Sequence, residues 1–335
     1  MPLDESSHPE LVLHIGGAKC GSSAIQAFLR QNASALAARG IAIPGEALDF
    51  NSVVSGQQIW AFEEAATDGD PIALGARLTR LFEDAEARGC HRLVLSAENI
   101  CNHPDLAPVV MRARGNRPAK VVFYVRRQDD FLISGWQQWH LKTFSSVESY
   151  LADRVGRVGC WYSMIAPWAD LLGDENIVVR PFVRAQLKDQ DVVSDFCAAV
   201  GIDDEGLDLQ KKNANPSFDE ALARLAHRVR DVFDDQHDNR FYEVMVRLLG
   251  KEALKTRSAS ALLDLETRNR ICARYAEEND ALRDRFLPDL GSAPLFRPPS
   301  EANVLQMTEA AKMSEEMAML TRAVYALAQK LDKAS

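Results

Sequence analysis

Leu11-Val12-Leu13-His14-Ile15-Gly16-Gly17-Ala18-Lys19-Cys20-Gly21-Ser22-Ser23 is the stretch that decides the fold. Its first five residues are a short, nearly continuous apolar run, the pattern of a strand buried on both faces. The run stops at Gly16-Gly17. From Ser22 to Ala38, Ile25, Phe28, Leu29, Ala33, Leu36 and Ala37 then recur at helical spacing. Arg39 suits the negative end of that helix, and Gly40 stands where a C-terminal cap is expected. Strand, glycine-rich turn and helix in this order suit an anion. Small residues let backbone N–H groups approach it, and the helix presents its positive end. The spacing Gly-x-x-x-x-Gly followed by hydroxyl residues is that of a phosphate-binding loop. It makes Gly17, Ala18, Lys19, Cys20, Gly21, Ser22 and Ser23 candidate ligand-binding residues. The plainer alternative is a glycine-rich strand–helix turn with no ligand.

Working outward, Ile41-Ala42-Ile43-Pro44 reads as a short edge strand, and residues 45–70 as a loop or lid with an embedded turn of helix. Pro71 to Arg88 is amphipathic and ends at Gly89. Strand-like runs follow at Arg92–Ser96, Lys120–Val125 and Asn176–Arg180, with helical segments between them, including Trp161 to Leu172. This is the βαβ rhythm of a parallel sheet. From Pro216 to about Leu287 only helical periodicity appears. The expected fold is α/β: a P-loop-type parallel sheet flanked by helices, with a helical C-terminal part. The expected division is an α/β domain over residues 1–290, a turn-rich linker over 291–300 and an amphipathic helix over 301–335. In that helix Ala310, Met313, Met317, Leu320, Val324, Leu327 and Leu331 alternate spacings of three and four. Such a seam predicts either a homodimeric coiled coil or a helix packed on its own domain.

Composition narrows the function. Of the 335 residues, 47% are hydrophobic and 26% charged, which excludes collagen-like, low-complexity and wholly disordered chains. Thirty-nine basic against 48 acidic residues leave a net charge of −9, which argues against a nucleic-acid partner. A local basic cluster can still hold a small anion. Six scattered cysteines and seven dispersed histidines show no metal-ligand spacing, so no metal site is expected and the cysteines read as reduced thiols. The acidic start Met1-Pro2-Leu3-Asp4-Glu5 is unlike a secretory signal, and no run approaches the ~18 apolar residues of a membrane span. A cytoplasmic location is expected.

The lysine position separates chemistries. In the nucleoside-triphosphate loop, Lys directly follows the second glycine; here Lys19 precedes Gly21 by two residues. A magnesium-dependent NTPase also needs an acidic strand end, whereas the run Val121–Val125 ends in Arg126-Arg127. Ser134 follows Arg126 by eight residues, nearly two turns along a helix beginning near Gln128. An arginine fork and a serine hydroxyl of this kind can hold a compact dianion. The alternative is a solvated arginine pair at the sheet edge.

Together these motifs resemble the PAPS-dependent sulfotransferases, bacterial members above all. Ala18-Lys19-Cys20-Gly21-Ser22-Ser23 resembles their 5′-phosphosulfate loop, and Arg126 with Ser134 their 3′-phosphate motif. Leu13-His14-Ile15-Gly16, Ser96-Ala97-Glu98-Asn99 and Tyr124-Val125-Arg126-Arg127 add to the likeness. A weaker likeness runs through Trp168 to Phe182, Asp195-Phe196, Gly201-Ile202 and Asn213 to Ser217, so that it covers roughly residues 11–290. Ala18 replaces a usual proline, Ser22-Ser23 replace threonines, and Trp136 replaces a common tyrosine. The resemblance implies sulfuryl transfer from PAPS, leaving PAP, to an acceptor hydroxyl of a carbohydrate or small metabolite, with no metal required. Lys19 would stabilise the leaving phosphate, and Arg126 and Ser134 would fix the 3′-phosphate.

An acceptor hydroxyl needs a base. Glu98 is the leading candidate, because its strand should end on the same sheet edge as the loop; the alternative is a carboxylate that caps a helix or pairs with an arginine. His14 is the runner-up as base, although its place within a buried strand reads rather as a hydrogen-bonded core histidine. His140, expected on the helix after Ser134, is a further candidate facing the acceptor, and Asn99 could orient either group. Trp60, Trp136 and Trp139 read as core or as a stacking wall for a sugar. Asn213, Asn215 and Ser217 read as a segment closing over the donor, or as a helix cap. The competing functions are a P-loop nucleotide-dependent kinase and a non-catalytic nucleotide-binding or assembly protein.

Overall fold

The opening apolar run becomes β1 (Glu10–His14), the centre of a parallel sheet. The computed structural model of the chain describes residues 8–209, 219–254 and 259–333. β2 (Ile41–Ala42), β3 (Arg92–Ser96), β4 (Ala119–Val125) and β5 (Ile177–Pro181) complete five strands in the order β2-β3-β1-β4-β5, all pairs parallel. The helices in chain order are α1 (Ser22–Ala37), α2 (Ile59–Asp68), α3 (Pro71–Ala87), α4 (Ala107–Arg114), α5 (Gln128–Gln138), α6 (Val147–Arg154) and α7 (Trp161–Leu172). They continue with α8 (Val192–Val200), α9 (Glu220–Arg228), α10 (Arg240–Leu249), α11 (Leu265–Arg274), α12 (Ala276–Phe286) and α13 (Glu309–Asp332). The expected α/β class with a parallel sheet and a helical C-terminal part is thus what the chain adopts. One expectation needs correction: α2 is a ten-residue helix within the segment read as a loop with a single turn.

The chain forms two units. The first comprises Met1–Arg126, Cys160–Ala214 and Glu277–Phe296; the second comprises Arg127–Gly159, Asn215–Ala276 and Arg297–Ser335. In the first unit the strand centres are apolar on both faces because helices cover both faces. Val12, Val94, Val122 and Tyr124 pack on one face with Ile25, Phe28 and Leu29 of α1 and Phe196, Cys197 and Val200 of α8. Their neighbours Leu11, Leu13, Leu93, Leu95, Val121 and Phe123, pointing the other way, are equally buried. There the Phe123 ring meets Trp161 of α7 edge to face.

Right-handed crossovers dictate this division of helices. The connection from β1 to β2 runs one way across the sheet with α1 on one face. The connection from β3 to β4 runs the opposite way, so its helix lies on the other. The direction therefore reverses between β1 and β4, and the carboxyl ends of strands at such a reversal are where sheets of this kind bind ligands. The register pairs His14 with both Ser96 and Val122, so the loops after β1, β3 and β4 leave from one edge.

The second unit is helical among the described residues, apart from an isolated bridge between Ser260 and Val304. Asp129 of α5 is buried between Arg127 and Arg268, with the Arg268 guanidinium 2.6 Å from its carboxylate. α13 lies on α9 and α10, and Glu316 accepts hydrogen bonds from Arg224 and Arg228 of α9.

Candidate functional site

After β1 the backbone stays tied to β4: the Ile15 amide donates to the Val122 carbonyl at 3.0 Å and Gly17 to Tyr124 at 3.3 Å. Gly17 lies under the indole of Trp161, where an added Cβ would come within 2.9 Å of the ring. The loop then turns through Lys19, at φ 64, and Gly21, at φ 89. Gly21 is the N-cap of α1 and has no side chain with which to cap it. Left-handed φ is natural for glycine but costs a lysine about 1–2 kcal/mol, so the surrounding contacts impose it. One of these is explicit: the Arg126 guanidinium donates to the Lys19 carbonyl oxygen at 3.2 Å. Arg126 is itself held through its carbonyl, which accepts from the Trp161 indole at 2.8 Å. Trp161 thus braces the glycine loop and the β4 end together, a role that sequence reading missed. Nothing local marks it, because Gly17 and Trp161 are 144 residues apart.

Lys19 is half-buried, and burial pulls its ammonium pKa down to about 8. The Arg126 charge pulls in the same direction, while Glu98 opposes it. Burial raises the pKa of the Glu98 carboxyl, against the pull of Lys19. The Ser22 hydroxyl is close enough to favour ionised Glu98, but does not reach it in hydrogen-bonding geometry. Ser22 Oγ is accordingly buried with no partner among the described residues. Two adjacent cations, a buried hydroxyl with no partner among the described residues, and the start of α1 have the chemistry that suits a phosphate group. Cys20 offers it only backbone. Its side chain is fully buried in the core beneath, Sγ lies 3.5 Å from the Ala18 carbonyl, and burial pushes the thiol up to about 12.

The first unit therefore brings Gly17, Ala18, Lys19, Cys20, Gly21, Ser22, Ser23, Glu98 and Arg126 to the loops of one sheet edge. His14 is a core residue as expected: fully buried, with Nδ1 2.8 Å from Ser96 Oγ and its pKa lowered to about 4 by burial. Ser134 and His140 belong to the second unit. Ser134 is buried in α5, which does begin at Gln128. His140 is not on that helix. α5 ends at Gln138 because Trp139 leaves helical geometry at φ −123, and His140 opens a separate 3₁₀ turn. Its ring stacks on Tyr150 at 4.8 Å, and burial lowers its pKa to about 4, helped by the Arg154 charge. Trp136 is a core residue packed against Tyr150 and His227, whereas Trp60, in the first unit, is exposed. Asn213, Asn215 and Ser217 lie outside the described residues. Among the described residues no group of three or more His, Cys, Asp or Glu side chains is placed to hold a metal ion. Nor is any described helix long and apolar enough to cross a membrane.

No protein-family model matches the chain. An uncharacterized protein of Archaeoglobus fulgidus is 27% identical over 167 residues, which are 50% of this chain and 45% of that protein. The match thus spans less than half of that relative's length. Among solved structures, a sulfotransferase from Alicyclobacillus acidocaldarius aligns over 66% of this chain and 93% of its own, with 21% identity and a TM-score of 0.40.

Proposed function

We propose that this chain is a PAPS-dependent sulfotransferase that moves a sulfuryl group to an acceptor hydroxyl of a carbohydrate or small metabolite. The observation that carries this reading is the pair of cations on the loop. Lys19 is desolvated beside Arg126, and Arg126 is bonded to the backbone of Lys19 itself. Two neighbouring positive charges favour a dense anion between them.

In the proposed reaction the acceptor oxygen attacks sulfur as the bond from sulfur to the 5′-phosphate oxygen breaks. Glu98, with its raised pKa, takes the hydroxyl proton. Lys19 neutralises the charge that grows on departing PAP, and the amides at the start of α1 hold its 5′-phosphate. The sequence resemblance assigns Arg126 and Ser134 to the 3′-phosphate, whose binding energy selects the donor.

Calorimetric titration with PAP, and with Mg-ATP in parallel, tests the reading. PAP should bind, and Arg126→Ala should weaken it roughly tenfold or more, the loss of one charge-assisted contact. Binding of Mg-ATP but not PAP would replace this reading with a kinase. PAP binding without sulfate transfer to any of a broad panel of hydroxyl acceptors would leave a nucleotide-binding protein.

A further inference from the structure

We infer that α13 is a self-association element whose outer stripe docks antiparallel on the same helix of a second copy of this chain. The heptad positions do not face the helix's own unit. Met313, Met317, Leu320, Val324, Leu327 and Leu331 are 40–65% exposed, and Tyr325 beside them is 65% exposed. The helix is attached through a different stripe, with Glu316 4% and Ala323 6% exposed. Glu316 is clamped by Arg224 Nε at 2.8 Å and Arg228 Nε at 2.6 Å, and Lys330 Nζ reaches the Arg247 carbonyl at 2.8 Å. These contacts fix the rotation of α13 about its axis, so the apolar stripe cannot turn inward.

Three features point to a second copy as the occupant. The alternating three-and-four spacing is the period at which one helix matches another like itself. The exposed side chains also form one continuous apolar stripe along the helix, rather than the scattered single apolar residues of an ordinary monomer surface. Packed antiparallel, two such helices also oppose their dipoles. Ser314, Thr321 and Ala328 flank the stripe on its open side, small and uncharged, so two helices can approach closely. A membrane-surface helix would need a cationic flank there instead. A two-fold pairing of this kind also closes on itself.

Sedimentation equilibrium of the full chain at micromolar concentration tests this. The expected mass is twice the 37.2 kDa of one chain. The double variant Val324→Glu, Leu327→Glu should sediment as a single chain with unchanged far-ultraviolet circular dichroism. Leu327→Ala, which leaves the helix intact, should weaken association at least tenfold. Ile72→Glu, at an 84% exposed apolar residue on α3, should leave the dimer unchanged. A single-chain mass for the wild type throughout that range, or a dimer that survives the double carboxylate variant, would overturn the inference.

Discussion

The Arg126 guanidinium and the Lys19 carbonyl oxygen are 3.2 Å apart, which links the end of β4 to the crown of the loop after β1. The bond holds the loop in its left-handed turn and sets a second cation beside the Lys19 ammonium. Binding of an anion and the conformation of the loop are therefore coupled through one side chain.

The Lys19 ammonium gives up its proton near pH 8 in the free protein. PAP affinity should fall as pH rises through about 8, by up to tenfold per unit, because binding draws on the charged form. Lys19→Gln should remove that slope and Lys19→Arg should shift it to much higher pH; calorimetry across pH 6–10 reads all three. The same lowered pKa means the unfolded chain binds more protons between about 8 and the ordinary 10.5. Lys19 therefore makes stability rise with pH in that window.

Glu98→Gln should lower the sulfate-transfer rate by about 10²–10⁴-fold, the span of general-base catalysis. PAP affinity should hold or tighten, because an anion beside Lys19 is gone. The acid limb of the wild-type rate should fall at a pH above the ordinary carboxylate value and vanish in the variant. Parallel loss of rate and PAP affinity would instead mean that Glu98 only positions the loop.

Gly21→Ala places a Cβ 2.8 Å from Phe182 and 2.9 Å from Val192 at a φ of 89. Backbone strain alone should destabilise the fold by about 1–2 kcal/mol, visible in chemical denaturation. PAP affinity should fall as well, because the displaced residue caps α1.

Asp195 receives hydrogen bonds from Arg180, from the Tyr124 hydroxyl at 2.8 Å and from the Lys188 amide at 3.0 Å. Burial alone would raise its pKa; those donors overcome it and hold the group below the ordinary carboxylate value. Asp195→Ala should destabilise the fold by about 2–3 kcal/mol, less than a fully buried pair because Arg180 reaches solvent. The stabilisation is present above the unfolded pKa of about 3.8 and disappears as pH falls through the lower native one. The wild type should therefore lose stability in acid more steeply than the variant.

The sheet was legible because strands buried on both faces write themselves as nearly continuous apolar runs, as at Leu11–Ile15 and Val121–Val125. The loop was legible because its glycines and lysine sit within eight residues. Long-range complements were not. Trp161 braces Gly17 and Arg126 from a distant helix, and no periodicity announces it. The end of α5 was missed because one residue, Trp139, departs from helical geometry within an otherwise continuous pattern. The stripe on α13 was readable, but its direction was not. Glu316, which anchors the helix, is charged, and its partners Arg224 and Arg228 lie some ninety residues earlier.

Cys20 sits in the middle of the loop with its sulfur wholly enclosed and its thiol weakly acidic. Alkylating reagents attack the thiolate, so at neutral pH this sulfur stays silent until the crown lifts away from the core. Its labelling rate is a built-in clock for breathing of the loop, and that clock should slow whenever a nucleotide pins the backbone above it.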